Sequence, residues 1–182
     1  MSFTPEPGTP LAEYYAQTQP LTGTILSRRS LGTVDAITNG RYAMTIGSTD
    51  PAHHDPAAAR QAGHRDVVAP PNLLAAMVEW GVGTAEAQLQ PDGTPQDGEM
   101  PLGDGDLRLR VMGAGEQMEL VNPVTAGTEV ILESTLEAVT PKQTRSGTCV
   151  FLTTLNTFTS ADGTVLNRNR RTVVLRNPAQ AS

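Results

Sequence analysis

Cysteine, aromatic side chains, positive charge and long apolar runs are all scarce in this sequence. Its single cysteine, Cys149, has no partner for an internal disulfide. Within Thr148-Cys149-Val150-Phe151-Leu152 it reads as a small buried hydrophobe on a strand. Aromatic residues make up only 4% of the chain, so its 38% hydrophobic content must build a core mainly from Val, Leu, Ile, Ala and Met. Lys and Arg total 13 against 19 Asp and Glu, a formal charge of −6. Nucleic-acid binding needs a strong basic field, so that class of partner is excluded. One local exception is Asn167-Arg168-Asn169-Arg170-Arg171, which either faces a small anionic ligand or simply exposes arginines on a strand. No apolar run approaches the ~18 residues of a membrane span. The early residues lack the basic-then-apolar pattern of a secretory leader. The expectation is a soluble, cytoplasmic protein with no membrane partner and no internal repeat.

Present in abundance are 17 glycines and 14 prolines among 182 residues, a length that suits one domain with a substantial core. Residues 1–20 are proline-rich and poor in aliphatics, which predicts an extended arm anchored by Tyr14 and Tyr15. Residues 21–34 hold a short β-prone piece followed by a turn. A short helix is predicted from Asp35, with Val34, Ile37, Tyr42 and Ile46 as its buried positions. A second helical turn follows Asp55, with Asp55 as N-cap, Pro56 at the first helical position and Gly63 closing it. The principal helix is predicted over 73–89. Leu73, Leu74, Met77, Val78, Gly81, Val82 and Ala85 recur there at helical spacing around most of its circumference. Residues 90–105 read as a loop. Strand patterns then fill 107–112, 117–121, 129–139, 147–159 and 165–176, with Ala161-Asp162-Gly163 as a hairpin turn. One mostly buried helix followed by antiparallel strands makes an α+β fold: a curved sheet wrapped around a long central helix. The domain is expected over 21–177, with a tail at 178–182.

Chemistry-bearing residues concentrate in 41–72, which holds all three histidines, three aspartates and four prolines. In Asp50-Pro51-Ala52-His53 the spacing suits a tight turn that brings both side chains together, with Pro51 limiting its freedom. His53 is either a proton-transfer group or a loop histidine bonded to backbone. Asp50 is either its partner or an Asx-turn acceptor. Ser48 can hydrogen-bond a water or hydroxyl but is no base at neutral pH. His54 either meets substrate or faces solvent. His64 and Asp66 read as surface residues, and Asp55 as a helix cap.

Several segments together resemble the MaoC-like hydratase/dehydratase family of the hot-dog fold, closest to its fatty-acid-synthase-type dehydratase domains. They are Tyr42-Ala43-Met44-Thr45-Ile46-Gly47, Asp50-Pro51-Ala52-His53-His54-Asp55, 58–63, Val68-Ala69-Pro70-Pro71 and Asn122-Pro123-Val124-Thr125-Ala126-Gly127-Thr128. The likeness spans roughly residues 20–176. Members of that family add water to 2-enoyl thioesters, or remove it from (3R)-3-hydroxyacyl thioesters, carried on coenzyme A or an acyl carrier protein. Their site motif reads Gly-Asp-x-Asn-Pro with a histidine two or three residues later. Gly47 and Pro51 match, and the histidine falls on His53, or on His54 with the longer spacing. Ser48 stands at the catalytic Asp position and Asp50 at the Asn position.

The resemblance implies catalytic roles for His53, Asp50 and Ser48. It places the thioester oxygen at the N-terminus of the central helix, on the amides of Asn72 and Leu73. Pro70 and Pro71 have no N–H to offer there, and free amides at a helix start suit a developing negative charge. Met77 and Trp80 would line the acyl tunnel, with His54 beside the substrate. No cofactor or metal is implied. A homodimer, or a heterodimer with another hot-dog subunit, is. Two other readings remain: a non-catalytic hot-dog subunit that binds acyl chains and stabilises an active partner, and a dehydratase or cyclase repurposed for natural-product biosynthesis.

Overall fold

Alternating residues from position 129 onward form the three central strands of one antiparallel sheet, with an earlier strand on each edge. The computed structural model describes residues 3–78, 85–89, 91, 107, 109–145 and 147–178. Its strands are β1 (Ile25–Thr33), β2 (Arg110–Leu120), β3 (Glu129–Thr144), β4 (Gly147–Ser160) and β5 (Val165–Arg176). Their order is β1-β3-β4-β5-β2, with every neighbour antiparallel. The hairpin joining β4 to β5 turns at Gly163, whose φ of 87° needs no Cβ. Asp162 locks that turn. Its Oδ1 accepts from the Ser160 hydroxyl at 2.5 Å and from the Thr164 N–H at 3.0 Å.

The segments 107–112 and 117–121, expected as two strands, are joined over Arg110–Leu120 into a single strand, β2. Gly113 and Gly115 look like a break in the sequence. They form instead a bulge, with a register shift between them and a φ of 137° at Gly115. The residues of 90–105 other than Pro91 lie outside the described set.

The proline-rich start is not an extended arm. Pro10–Thr18 forms a helix, α1. Thr9 is its N-cap, with the hydroxyl accepting from the Ala12 N–H, and Pro10 occupies the first turn. Leu11, Tyr14 and Thr18 are its buried residues, at helical spacing. Leu11 and Tyr14 pack with Leu136, Val150, Leu152 and Leu175 of the sheet. Burying a Leu fully is worth ~1.5–3 kcal/mol, enough to hold a short helix in place. The Leu11 N–H also donates to Asn177 Oδ1 at 2.8 Å, tying α1 to the end of β5.

Asp35 caps the next helix, α2 (Ala36–Thr45), through the N–H groups of Ile37 and Thr38. Val34 is buried as expected, but Ile37 and Ile46 are 67% and 51% exposed. The inward face of α2 is made by Asn39 and Ala43, one helical turn apart, which rotates Ile37 outward. The helix α3 (Pro56–Gln61) has the Asp55 cap and first-turn proline that the sequence indicated.

The helix α4 (Leu73–Met77) packs Leu73, Leu74 and Met77 against Val130, Leu132, Phe158 and Leu166. It does not run on to residue 89. Ala85 is extended, with φ −60° and ψ 142°, and Glu86–Gln88 is a separate 3₁₀ turn. Residues 79–84, including Trp80, lie outside the described set. Glycines at positions 81 and 83 weaken helix propensity there.

The sheet's inner face therefore carries two apolar clusters, one under α4 and one under α1. Between them runs a polar rung across β3, β4 and β5: Ser134, Asn156 and Asn169 are paired in register. Ser134 donates to Asn156 Oδ1 at 2.6 Å, and Asn169 donates to Glu116 Oε1 of β2 at 2.5 Å.

Residues 67–69 strap the loop before α3 to the sheet. The Val68 N–H donates to the Ala52 carbonyl at 2.9 Å, the Ala69 N–H to Val124 at 2.7 Å, and the Ala126 N–H returns to Val67 at 3.0 Å. Arg65 adds contacts to the Thr125 and Thr128 hydroxyls at 2.6 and 2.8 Å. Among the described residues no helix is long and apolar enough to cross a membrane.

Candidate active site

Gly47 ends the α2 segment in a left-handed conformation, φ 67°, and reverses the chain toward the sheet. Asp50 then starts a 3₁₀ turn, Pro51–His53, by accepting the Ala52 N–H at 2.9 Å on Oδ1. Ala52 is buried beneath that turn, and the strap from Val68 holds its carbonyl. These contacts fix His53 from below and leave its ring to choose a partner above.

That partner is Ser48. Its Oγ lies 2.7 Å from His53 Nδ1. Asp50, expected to orient the ring, is exposed and serves as the cap; among the described residues no carboxylate bonds to His53. A hydroxyl can donate to Nδ1 or accept from it. Ser48 therefore holds the ring's position without dictating which nitrogen carries the proton. With Nδ1 engaged, Nε2 is the nitrogen left for chemistry.

His54 turns away from this ring and latches the loop. Its Nε2 meets the Ser48 carbonyl at 2.9 Å. A carbonyl only accepts, so His54 Nε2 carries the proton.

His53 opens on a cleft of about 310 Å³ lined mainly by apolar groups, among them Val68, Pro70, Leu74 and Leu120. Its other polar lining side chains are Asn122 and Asn167. A larger hollow of about 640 Å³ lies against residues 4–16, where Glu13 and Tyr15 are the titratable groups and no histidine is present. The smaller cleft is the one that His53 lines.

The remaining expected residues fall as follows. The Leu73 N–H donates to the Pro70 carbonyl at 3.0 Å in the turn that begins α4, so it is already engaged. Asn72 is exposed within that turn. Met77 sits in the core cluster with Leu132 and Phe158 rather than on the cleft wall. Trp80 lies outside the described residues. His64 donates its backbone N–H to Ala59, and Asp66 accepts its neighbour's N–H, from Val67. Among the described residues no three His, Cys, Asp or Glu side chains are grouped to hold a metal ion.

Sequence reasoning missed Asn167, although it lies in the run suspected of facing an anion. The arginines of that run are taken up differently: Arg168 pairs with Glu119 at 3.2 Å and Arg170 with Glu137 at 2.8 Å. The signal was the period-2 alternation itself, which sends Asn167 and Asn169 to one face and Arg168 and Arg170 to the other.

A family model described as FAS1-like, dehydratase domain region, matches residues 33–168. The chain belongs to this dehydratase family. A UPF0336 protein of Parafrankia sp. (strain EAN1pec) is 30% identical to this chain over 143 residues, covering 76% of this chain and 81% of that protein. A protein named probable enoyl-CoA hydratase alpha subunit, from Thermomonospora curvata, is 27% identical over 135 residues, 71% of this chain and 40% of that longer protein. A chain of the ChsH1-ChsH2 complex from Mycobacterium tuberculosis superimposes with a TM-score of 0.70 at 22% identity, over 94% of this chain and 98% of that one. The fold is the α+β hot-dog fold of the MaoC-like dehydratases, as the motifs implied. Ser48, which the motif resemblance sets at an aspartate position, is the residue whose hydroxyl meets His53.

Proposed function

We propose that this chain interconverts 2-enoyl thioesters and (3R)-3-hydroxyacyl thioesters, carried on coenzyme A or an acyl carrier protein. The observation that carries the reading is His53. Its Nδ1 is held by Ser48 at 2.7 Å while the ring lines an apolar cleft. In hydration, Nε2 takes a proton from water as the water oxygen bonds to C3. The C2–C3 π electrons move toward the thioester oxygen. Protonated His53 then returns the proton to C2, and dehydration runs the same steps backward. Such positioned proton transfer accelerates a reaction ~10²–10⁴-fold. One imidazole serves both transfers, because Ser48 cannot hold a charge at neutral pH. The apolar wall excludes bulk water from the enolate-like intermediate.

The test is direct. The purified chain is mixed with a short and a long 2-enoyl-CoA, and loss of the conjugated enoyl absorbance is followed. Turnover giving the (3R)-alcohol, abolished in His53→Ala, supports the reading. Near-normal turnover by His53→Ala overturns it.

A second reading is supported by two features: a hydroxyl at the aspartate position, and an exposed outer edge on β2. Met112 and Leu120 are 43% and 54% exposed along that edge, and among the described residues no strand pairs with it. Such an edge suits pairing with a second hot-dog subunit, identical or different. In this reading the chain binds acyl groups and completes its partner's site. Turnover by the chain alone excludes it; turnover only after adding a second hot-dog chain supports it.

A further inference from the structure

The geometry points to Asn167 as a substrate-contacting residue, whose side-chain amide donates to the thioester oxygen in the His53 cleft. The assignment rests on the thioester reading above. Asn167 lies on β5 between Phe158 of β4 and Leu120 of β2, paired in register with both. A residue paired on both sides has a fixed backbone, so its side chain projects from the inner face in one direction. It is 4% exposed, lines the cleft with His53, and its side chain takes part in none of the hydrogen bonds among the described residues.

Each nearby amide makes at least one side-chain hydrogen bond, although Asn169 Oδ1 has no partner. Asn122 Nδ2 donates to the Val165 carbonyl at 2.7 Å, Asn156 Oδ1 accepts from Ser134, and Asn169 Nδ2 donates to Glu116. Buried carboxamides with no partner are rare, and a group that meets a ligand is one of the few physical reasons for one.

Many backbone N–H groups around the cleft are already engaged. The Val68 and Ala69 N–H groups are bonded to Ala52 and Val124, and those of Val121 and Asn122 both donate to the Leu166 carbonyl. Pro70, Pro71 and Pro123 have no N–H to give. The Leu73 amide, one of two expected to serve the thioester oxygen, is engaged with Pro70. As water adds to C3, negative charge accumulates on that oxygen. Asn167 Nδ2 supplies a donor that is already desolvated and held by the ladder. His53 moves the proton while Asn167 receives the charge.

The experiment compares the full chain with Asn167→Leu, which keeps similar bulk without a donor, and Asn167→Ser, which restores a shorter one. Turnover of a short 2-enoyl-CoA is measured beside the infrared carbonyl band of bound butyryl-CoA, isotope-labelled at the thioester carbon. Removing one oxyanion donor costs about 10²–10³-fold in kcat. The expected result is that loss in Asn167→Leu with KM little changed, partial recovery in Asn167→Ser, and an upward shift of the carbonyl band in the Leu variant. Circular dichroism checks folding, and should the Leu variant fail to fold, Asn167→Ser against wild type carries the same comparison on a smaller scale. Unchanged kcat and an unchanged band overturn the assignment while leaving the hydratase reading intact. A wild-type chain that binds butyryl-CoA with an Asn167-dependent band shift, yet does not turn over, supports the assignment and overturns the hydratase reading. A chain that does neither overturns both.

Discussion

The ring Nε2–H of His54 donates to the carbonyl of Ser48 at 2.9 Å, on the same residue whose hydroxyl reaches His53 at 2.7 Å. Two adjacent histidines thus close on one serine. His54 fixes the Ser48 backbone, and Ser48 fixes the ring of His53. The His53 ring is placed by a chain of two hydrogen bonds through Ser48 rather than by a carboxylate.

That arrangement makes Ser48 a positioning residue with a measurable effect. A net hydrogen bond of about 1 kcal/mol corresponds to roughly a 5-fold loss of kcat in Ser48→Ala. Ser48→Asp places a carboxylate beside Nδ1, favours the imidazolium and moves the acid limb of the kcat–pH profile upward. A profile identical in wild type and Ser48→Asp would falsify the coupling.

Asp50 is a cap, so Asp50→Ala is expected to lose about 1 kcal/mol of stability, roughly 2–4 °C in Tm, with kcat within about 3-fold of wild type. Asp50→Asn keeps the acceptor and should restore both. A fall of about 100-fold in kcat with Tm unchanged would instead make Asp50 the chemical partner of His53.

The hairpin between β4 and β5 should lose stability in acid. The Ser160 hydroxyl, followed by the Thr164 N–H, holds the Asp162 carboxyl down from 3.8 to about 2. A carboxyl depressed in the folded state stabilises fully above its unfolded value and loses that contribution as pH falls through its folded value. The hairpin's contribution is therefore intact above about 3.8 and gone below about 2. Carbon-detected NMR titration should find Asp162 half-protonated near 2, and Ser160→Ala should return it toward 3.8. A midpoint that Ser160→Ala leaves in place removes the hydroxyl as the cause.

Much of the fold was legible because the strands obey a period of two. The span 165–176 is β5 to the residue, and Asp55-Pro56 marked the start of α3. The signals that misled were local ones overridden by packing. Prolines before residue 20 argued for coil, yet Thr9-Pro10 is itself a helix start, and Leu11, Tyr14 and Thr18 already showed the spacing of a buried face. Ile37 looked like a core residue by hydrophobicity, but Asn39 and Ala43 took the inward side. At the site, sequence spacing brought attention to His53. It could not choose between Ser48 and Asp50, because that choice depends on how the 3₁₀ turn aims the ring. Asn167 was hidden among arginines whose charge drew the eye to the opposite face.

The polar rung of Ser134, Asn156 and Asn169 has a consequence for how the domain breathes. Its hydroxyl and amides tolerate a visiting water molecule, whereas the apolar clusters on either side do not. The sheet is thus continuous in hydrogen bonds but divided in its oil, with α1 guarding one half and the His53 cleft resting on the other. Loosening around the cleft, as an acyl chain enters or leaves, need not propagate past that rung. The half closed by α1 acts as an anchor, remaining folded while the other opens, so the protein can be supple where it works and rigid where it is held together.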